Sequence, residues 1–96
     1  MTNDDIKSIA DHYGLSHQTA KLIEELAELI QALAKDEFAE SDKGMEHVVE
    51  EIADVEIMLE QIKYLLCIHE AALNSIKTYK IMRTLAGIGG NREWKD

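Results

Sequence analysis

KLIEELAELIQALA, residues 21–34, is the segment that decides the fold of this chain. Its apolar residues recur at the three- and four-residue spacing of an α-helix: Leu22, Ile23, Leu26, Leu29, Ile30 and Leu33. Ser16 is a favourable N-cap residue, so the pattern predicts a helix over about residues 16–37. The apolar arc of this helix is about 160° wide, which disfavours a monomer.

Working outward from this segment, the sequence predicts four helices in all, over about residues 4–12, 16–37, 45–67 and 70–86. Gly14 ends the first helix, and the polar stretch 40–44 forms a loop. Residues 67–69 contain neither glycine nor proline, so one continuous helix across the last two segments stays open. Average helix length favours a turn there. The chain is expected to be one domain, residues 1–96, with a polar tail at 91–96.

The composition favours an all-α fold. The 96 residues include no proline and only five glycines, whereas β-sandwiches and barrels need many turns. Ten basic residues against 19 acidic ones give a net charge of −9, which argues against binding a nucleic-acid polymer. A free nucleotide is a different case, because a metal ion can carry the positive charge.

Several classes of protein are disfavoured by single features. Cys67 is the only cysteine, which excludes an internal disulfide and a cysteine-rich zinc site. Residues 1–5 are acidic and lack a signal-peptide core, and no run approaches the roughly 20 apolar residues that span a bilayer. We therefore expect a cytoplasmic protein without membrane contact. Because so short a chain builds only a marginal core, we also expect an oligomer.

The third predicted helix breaks its own hydrophobic pattern. Glu51 falls inside its apolar arc and Asp54 lies at the edge, the arc being formed by Val48, Val55, Met58, Ile62, Leu65 and Leu66. A carboxylate removed from water needs a partner, a metal ion or a raised pKa. The alternatives are an exposed end of the stripe or a Lys or Arg partner for each acid.

The second predicted helix offers a complementary set of polar residues. One of its faces, opposite the apolar arc, carries Gln18, Lys21, Glu25, Glu28 and Ala32. Taken alone, this pattern is typical of a solvated face with a Lys21–Glu25 ion pair. Beside an antiparallel third helix, however, Glu25-x-x-Glu28 would meet Glu51-x-x-Asp54.

Four converging carboxylates form an all-oxygen site of the kind that Mg²⁺ prefers. A di-iron bundle would need Glu-x-x-His on two helices, and none of the four histidines follows a Glu at that spacing. On the fourth predicted helix, Lys80 and Arg83 lie beside Ile76 and Tyr79, where they could hold phosphate oxygens. The alternative for these two bases is an ordinary surface position.

Two acidic motifs carry a family resemblance. EELAE at 24–28 and EEIAD at 50–54 resemble the paired signature of the MazG-type nucleoside triphosphate pyrophosphohydrolases, in the all-α NTP pyrophosphatase superfamily. Tyr13-Gly14 and the stretch QTAKLIEE, residues 18–25, are similar to the compact single-domain members found in phages and Firmicutes. The resemblance covers the whole chain.

The resemblance implies a four-helix MazG-like bundle with antiparallel central helices, assembled as a homodimer or homotetramer. It also implies hydrolysis of an NTP or dNTP to the monophosphate and pyrophosphate, with Mg²⁺ or with Mn²⁺ in its place. The metal ligands would be Glu25, Glu28, Glu51 and Asp54, with Glu25 or Glu28 also activating water. The substrate would contact Lys80 and Arg83 at its phosphates, and Lys21 and Gln18 elsewhere.

Two other functions remain open at this stage. The first is a non-catalytic helical dimerisation or regulatory module, in which the acids form interhelical ion pairs with residues such as Lys80 or Arg83. The second is a protein that binds nucleotides without hydrolysing them.

Overall fold

The structure, a computed structural model, describes residues 3–35 and 40–89. These residues form three helices and no strand: α1 (Asn3–Ala34), α2 (Asp42–Leu65) and α3 (Glu70–Gly89). The predicted all-α class is confirmed. Within this part of the chain, no helix has the length and apolar character needed to cross a membrane. The predicted tail at 91–96 and the predicted helix end at residue 37 lie outside the described residues.

Helix α1 is kinked at Gly14, which has φ 81° and ψ 169°. Residues with a side chain essentially never adopt this conformation, so the chain needs glycine there. The predicted interruption at Gly14 is therefore present, but helical backbone resumes immediately after it. The first two predicted helices are therefore present as two helical segments that meet at this kink, and α1 names them together.

The start of α2 differs from the sequence prediction, whereas the predicted break after α2 is present. Ser41 is the N-cap of α2, and its side chain accepts a hydrogen bond from the Gly44 N–H at 3.2 Å. The cap draws residues 42–44 into the helix, so the loop predicted there is wrong. The break after α2 is confirmed: Cys67 has φ 55°, a left-handed conformation that ends the helix and excludes one continuous helix.

Helices α1 and α2 pack against each other as an antiparallel hairpin. Gln18 near the middle of α1 contacts Gln61 near the end of α2, and Asp11 further back along α1 contacts Tyr64 further along α2. The stripe predicted on α2 is confirmed over its first part, where Val48, Glu51, Val55 and Met58 are buried. Further along, Ile62 and Leu65 are half-buried and Leu66 is exposed. Glu51 thus lies in the packed seam, as its position in the arc predicts.

Helix α1 turns its polar face, not its apolar arc, toward α2. Gln18 and Glu25 are only 3% and 6% exposed, whereas Ile23 and Ile30 are 63% and 66% exposed. The interpretation of this polar face as solvated is therefore wrong for its buried members, which recur every seven residues at Gln18, Glu25 and Ala32. Of the apolar arc of α1, Leu22 and Leu29 are half-buried, whereas the side that carries Ile23 and Ile30 is not covered by any helix among the described residues.

Helix α3 projects from this hairpin. None of its residues is buried, and side chains such as Met82 and Leu85 are more than half exposed. In the residues that the structure describes, the packed unit is thus a helical hairpin of α1 and α2, and α3 does not complete a four-helix bundle.

Candidate metal centre

Three acidic side chains converge in the seam between α1 and α2. Glu25, Glu28 and Glu51 each place one carboxylate oxygen so that the three atoms lie within 4.8 Å of one another. Glu25 and Glu51 are buried and Glu28 is half-buried. The helical spacing explains the arrangement, because Glu25 and Glu28 lie three residues apart and so share the face of α1 that meets α2.

The cluster is short of positive charge. Lys21 Nζ lies 3.2 Å from Glu25 Oε1, and His47 Nδ1 lies 3.8 Å from Glu51 Oε1. Both contacts stay within one helix. The other oxygen of each buried acid, Glu25 Oε2 and Glu51 Oε2, has no hydrogen-bond partner. A buried carboxylate oxygen without a donor is costly, so these two atoms call for a cation or a proton.

Burial raises the pKa of Glu25 above its ordinary value. The negative charges of Glu28 and Asp54 raise the pKa further, while the hydrogen bond from Lys21 opposes the change. The same contact, together with the charge of Glu24, raises the pKa of Lys21. The surroundings of Glu25 therefore disfavour the ionised form of its carboxylate.

Asp54 lies beside the cluster but at its rim. It is exposed, and it lines a cavity of about 100 Å³ together with Glu25, Lys21, Ile57 and Met58. Of the four ligands that the sequence predicts, the structure brings three together and places Asp54 next to Glu25. This matches the position of Asp54 at the edge of the apolar arc.

The donor set fits a small, hard divalent cation. All the converging atoms are carboxylate oxygens, which Mg²⁺ and Mn²⁺ accept as ligands. The two unpartnered buried oxygens are the strongest sign of this fit, because purely structural acids in a packed seam normally find a donor. Glu25, Glu28 and Glu51 would hold the ion, and Asp54 is close enough to contribute through its charge.

A larger groove of about 600 Å³ adjoins this cavity, and the two share Lys21, Ile57 and Met58 as walls. Of the two predicted substrate contacts of α1, Lys21 lies at the acids, and Gln18 lines the groove that adjoins them. Sequence reasoning missed Gln61, which is 1% exposed and accepts a hydrogen bond from Gln18. Its position seven residues after Asp54, on the same edge of the stripe, was the available signal.

The two predicted phosphate-binding bases lie elsewhere, on α3. Arg83 lies over the ring of Tyr79 at 5.5 Å, and the Lys80 carbonyl accepts a hydrogen bond from the Thr84 hydroxyl. All residues that line the two cavities beside the acids belong to α1 and α2. Within one chain, Lys80 and Arg83 are thus not part of the walls around the carboxylate cluster.

Comparison of the chain with models of protein families, with curated proteins and with solved structures found no match. The resemblance to MazG-type enzymes thus rests on the sequence motifs alone.

Proposed function

We propose that this protein is a nucleoside triphosphate pyrophosphohydrolase that depends on Mg²⁺ or Mn²⁺. The observation that supports this most is the pair of buried, unpartnered oxygens of Glu25 and Glu51, within a cluster of three carboxylates. A seam between two helices gains nothing from such a cluster unless a cation joins it. The groove beside the cluster provides space for the rest of a nucleotide.

In this proposal Glu25, Glu28 and Glu51 hold the ion. Once bound, it would neutralise part of the triphosphate charge and polarise the phosphoryl oxygens. The carboxylates fix its position rigidly, because all three are carried by helices and not by loops. The same cation would also give the Oε2 atoms of Glu25 and Glu51 the partner that the protein does not supply.

The reaction itself is a displacement at the α-phosphorus. A carboxylate oxygen of Glu28 or Glu25 accepts a hydrogen bond from a water molecule and takes its proton as the water oxygen bonds to the α-phosphorus. The bond between the α-phosphorus and the oxygen that bridges to the β-phosphorus breaks, and pyrophosphate leaves. Lys21 is the nearest cation on the hairpin and can offset the charge of the phosphates.

We also propose that the working form is a homo-oligomer. Much of the apolar arc of α1 and most of α3 are exposed in one chain, with Ile30 66% and Ile88 77% exposed. Because most of the stability of a helix in a protein comes from packing of its apolar side chains, α3 needs a packing partner. A second copy would cover these surfaces, and Lys80 and Arg83 would then act at a site formed between chains.

The exposed apolar surface equally favours a second candidate, a helical self-association module without activity. In that case the acids should serve as ion pairs between helices. The contacts seen for Glu25 and Glu51 are instead made with Lys21 and His47 of the same helices. The enzyme is therefore the better-supported function, and the assay described next separates the two.

The test is release of pyrophosphate from a panel of NTPs and dNTPs, measured with Mg²⁺ and with EDTA. Metal-dependent release of pyrophosphate together with the monophosphate would support the proposal. Binding of an NTP without any turnover would instead favour a nucleotide-binding protein. No turnover, together with no change of melting temperature on adding Mg²⁺, would contradict a metal site and leave the self-association module.

A matched pair of variants locates the activity. Glu51→Gln should lower the turnover rate at least about 100-fold and abolish the Mg²⁺-dependent rise in melting temperature, because it removes a buried ligand. Glu50→Gln changes the same residue type one position earlier, on the exposed side of α2, and should leave both quantities unchanged. Equal effects of the two variants would show that the cluster is not the active site.

A further inference from the structure

The groove beside the acid cluster has a wall of stacked rings. Tyr13 and His17 lie with ring centroids 4.7 Å apart and planes only 20° from parallel. Both rings line the 600 Å³ groove, whose apolar walls include Ile9 and Ile57. A groove of this volume, with both apolar and polar side chains in its walls, is typical of sites for small organic molecules.

A chain of hydrogen bonds in the seam holds His17 in place. Gln61 Nε2 donates to the main-chain oxygen of Ile57 at 3.4 Å, and Gln61 Oε1 accepts from Gln18 Nε2 at 2.7 Å. Gln18 Oε1 then lies 2.7 Å from His17 Nδ1. Gln18 and Gln61 are both almost fully buried, so the bond between them is shielded from water.

The direction of this chain determines which nitrogen of His17 carries hydrogen. A main-chain carbonyl can only accept, so Gln61 must present its NH₂ group to Ile57 and its oxygen to Gln18. Gln18 must in turn present its oxygen to His17, which makes Nδ1 the donor. In the neutral ring, Nε2 is then an acceptor, and it is the nitrogen that the hydrogen-bond chain leaves unused.

We propose that this groove binds the nucleobase, with the Tyr13–His17 pair as the stacking wall and His17 Nε2 as an acceptor for an N–H group of the base. Flat heteroaromatic rings stack on aromatic side chains regardless of base identity. Because Lys21 lines both the groove and the small cavity at the acids, one ligand can reach both. The inference rests on the proposed function only in identifying the flat group as a nucleobase.

Two separate probes test the groove and the acid cluster independently. The first is a set of unphosphorylated nucleosides (adenosine, guanosine, cytidine and uridine), whose binding is measured by saturation-transfer NMR without metal. The second is inorganic tripolyphosphate, whose binding is measured by calorimetry in the presence of Mg²⁺. The nucleosides report on the groove alone, and tripolyphosphate reports on the carboxylates alone.

We expect Tyr13→Ala and His17→Ala to weaken nucleoside binding about tenfold or more and to leave tripolyphosphate binding unchanged. Tyr13→Phe keeps the ring and should bind nucleosides like the native chain. His69→Ala, in the exposed turn before α3, is the histidine control and should have no effect. Glu51→Gln should show the opposite pattern, losing tripolyphosphate and keeping the nucleosides.

The outcomes separate the two proposals. Nucleoside binding that is absent from the native chain, or that survives Tyr13→Ala and His17→Ala, would overturn the groove proposal even if pyrophosphate release is observed. Nucleoside binding that depends on Tyr13 and His17, in a protein without pyrophosphate release, would support the groove and refute the hydrolase.

Discussion

The hairpin of α1 and α2 and the projecting helix α3 are built on opposite plans. Helix α1 carries six acidic and two basic residues, and α2 carries seven acidic and two basic residues. Helix α3 carries one acidic and three basic residues. The hairpin buries polar side chains in its seam, such as Gln18, Glu25 and Gln61, while α3 exposes its apolar ones. The chain thus keeps polar chemistry inside one molecule and leaves apolar surface for contacts with another.

This difference in which residues are buried indicates where the stability of each region originates. In the hairpin, hydrogen bonds and a bound cation would offset the cost of burying polar groups. The polar contacts of α3, such as the one between Lys63 and Glu70, are exposed. Apolar residues surround this helix on all sides, a pattern typical of a helix that is buried. We therefore expect the hairpin to respond to metal and pH, and α3 to respond to protein concentration.

The largest expected effect is on α3. Leu85→Asp should weaken self-association at least about 100-fold, because it places an unpaired charge in a surface that we expect to be covered. Sedimentation equilibrium measures this change. Thr84→Asp puts the same charge at the adjacent, exposed position and should have little effect. A Leu85→Asp protein that associates like the native chain would show that α3 is not at the interface.

The next effect concerns the amide pair in the seam of the hairpin. Gln61→Leu should lower the free energy of unfolding by about 2 kcal/mol, because the buried Gln18 Nε2 then loses its acceptor. Replacing both residues, Gln18→Leu with Gln61→Leu, should recover most of the loss, since no buried amide is left unpaired. Urea unfolding measures both. Additive losses in the double variant would contradict a coupled pair.

A smaller effect concerns Glu25 and has a defined sign with pH. Because the pKa of Glu25 is raised in the folded protein, its contribution to stability is complete below its ordinary pKa and is lost as the pH rises through the raised value. Without metal, Glu25→Gln should therefore increase the free energy of unfolding at pH 7 by about 1 kcal/mol.

The same variant should also flatten the gain in stability that the native chain shows as the pH falls from 7. Glu24→Gln, at an exposed position that also contacts Lys21, is the control and should change neither quantity. Adding Mg²⁺ should stabilise the native chain more than Glu25→Gln. If the free energy of unfolding depended on pH in the same way for the native chain and for Glu25→Gln, a raised pKa of Glu25 would be refuted.

The smallest effect is at the junction of the two regions. Lys63 Nζ lies 2.8 Å from Glu60 and 2.9 Å from Glu70, and it lowers the pKa of Glu70. This exposed contact stabilises the protein at pH values above the ordinary carboxyl pKa, and the stabilisation is lost as the pH falls. The contribution of Glu25 has the opposite pH dependence, because it is lost as the pH rises. Lys63→Ala should lower the melting temperature by less than about 2 °C, with Lys43→Ala as the control. A larger loss would mean that this junction holds α3 in place.

Much of the site could be predicted from local patterns. The i, i+3 spacing of Glu25 with Glu28 predicts that they share a face, and the place of Glu51 inside an apolar stripe predicts its burial. Both are confirmed, because helical geometry fixes the relative directions of side chains within one turn. The glycine break at position 14 was likewise visible, since its conformation requires glycine.

Contacts between distant residues could not be predicted in the same way. The hydrogen bond between Gln18 and Gln61 depends on the register of α1 against α2, and so does the chain of hydrogen bonds from Ile57 to His17. No local pattern determines that register. The stacking of Tyr13 on His17 was also missed, because its significance appears only when both rings line a groove.

The sequence by itself determined the helical class, the interruption at Gly14 and the set of acids that share a face, because each depends on residues within a few turns. The tertiary structure decided which face of α1 is buried. Apolar periodicity favoured the arc that contains Ile23 and Ile30, yet α1 packs through Gln18 and Glu25. Periodicity shows that a helix has two unlike faces, but the partner that covers each face is set by the whole assembly and not by the helix alone.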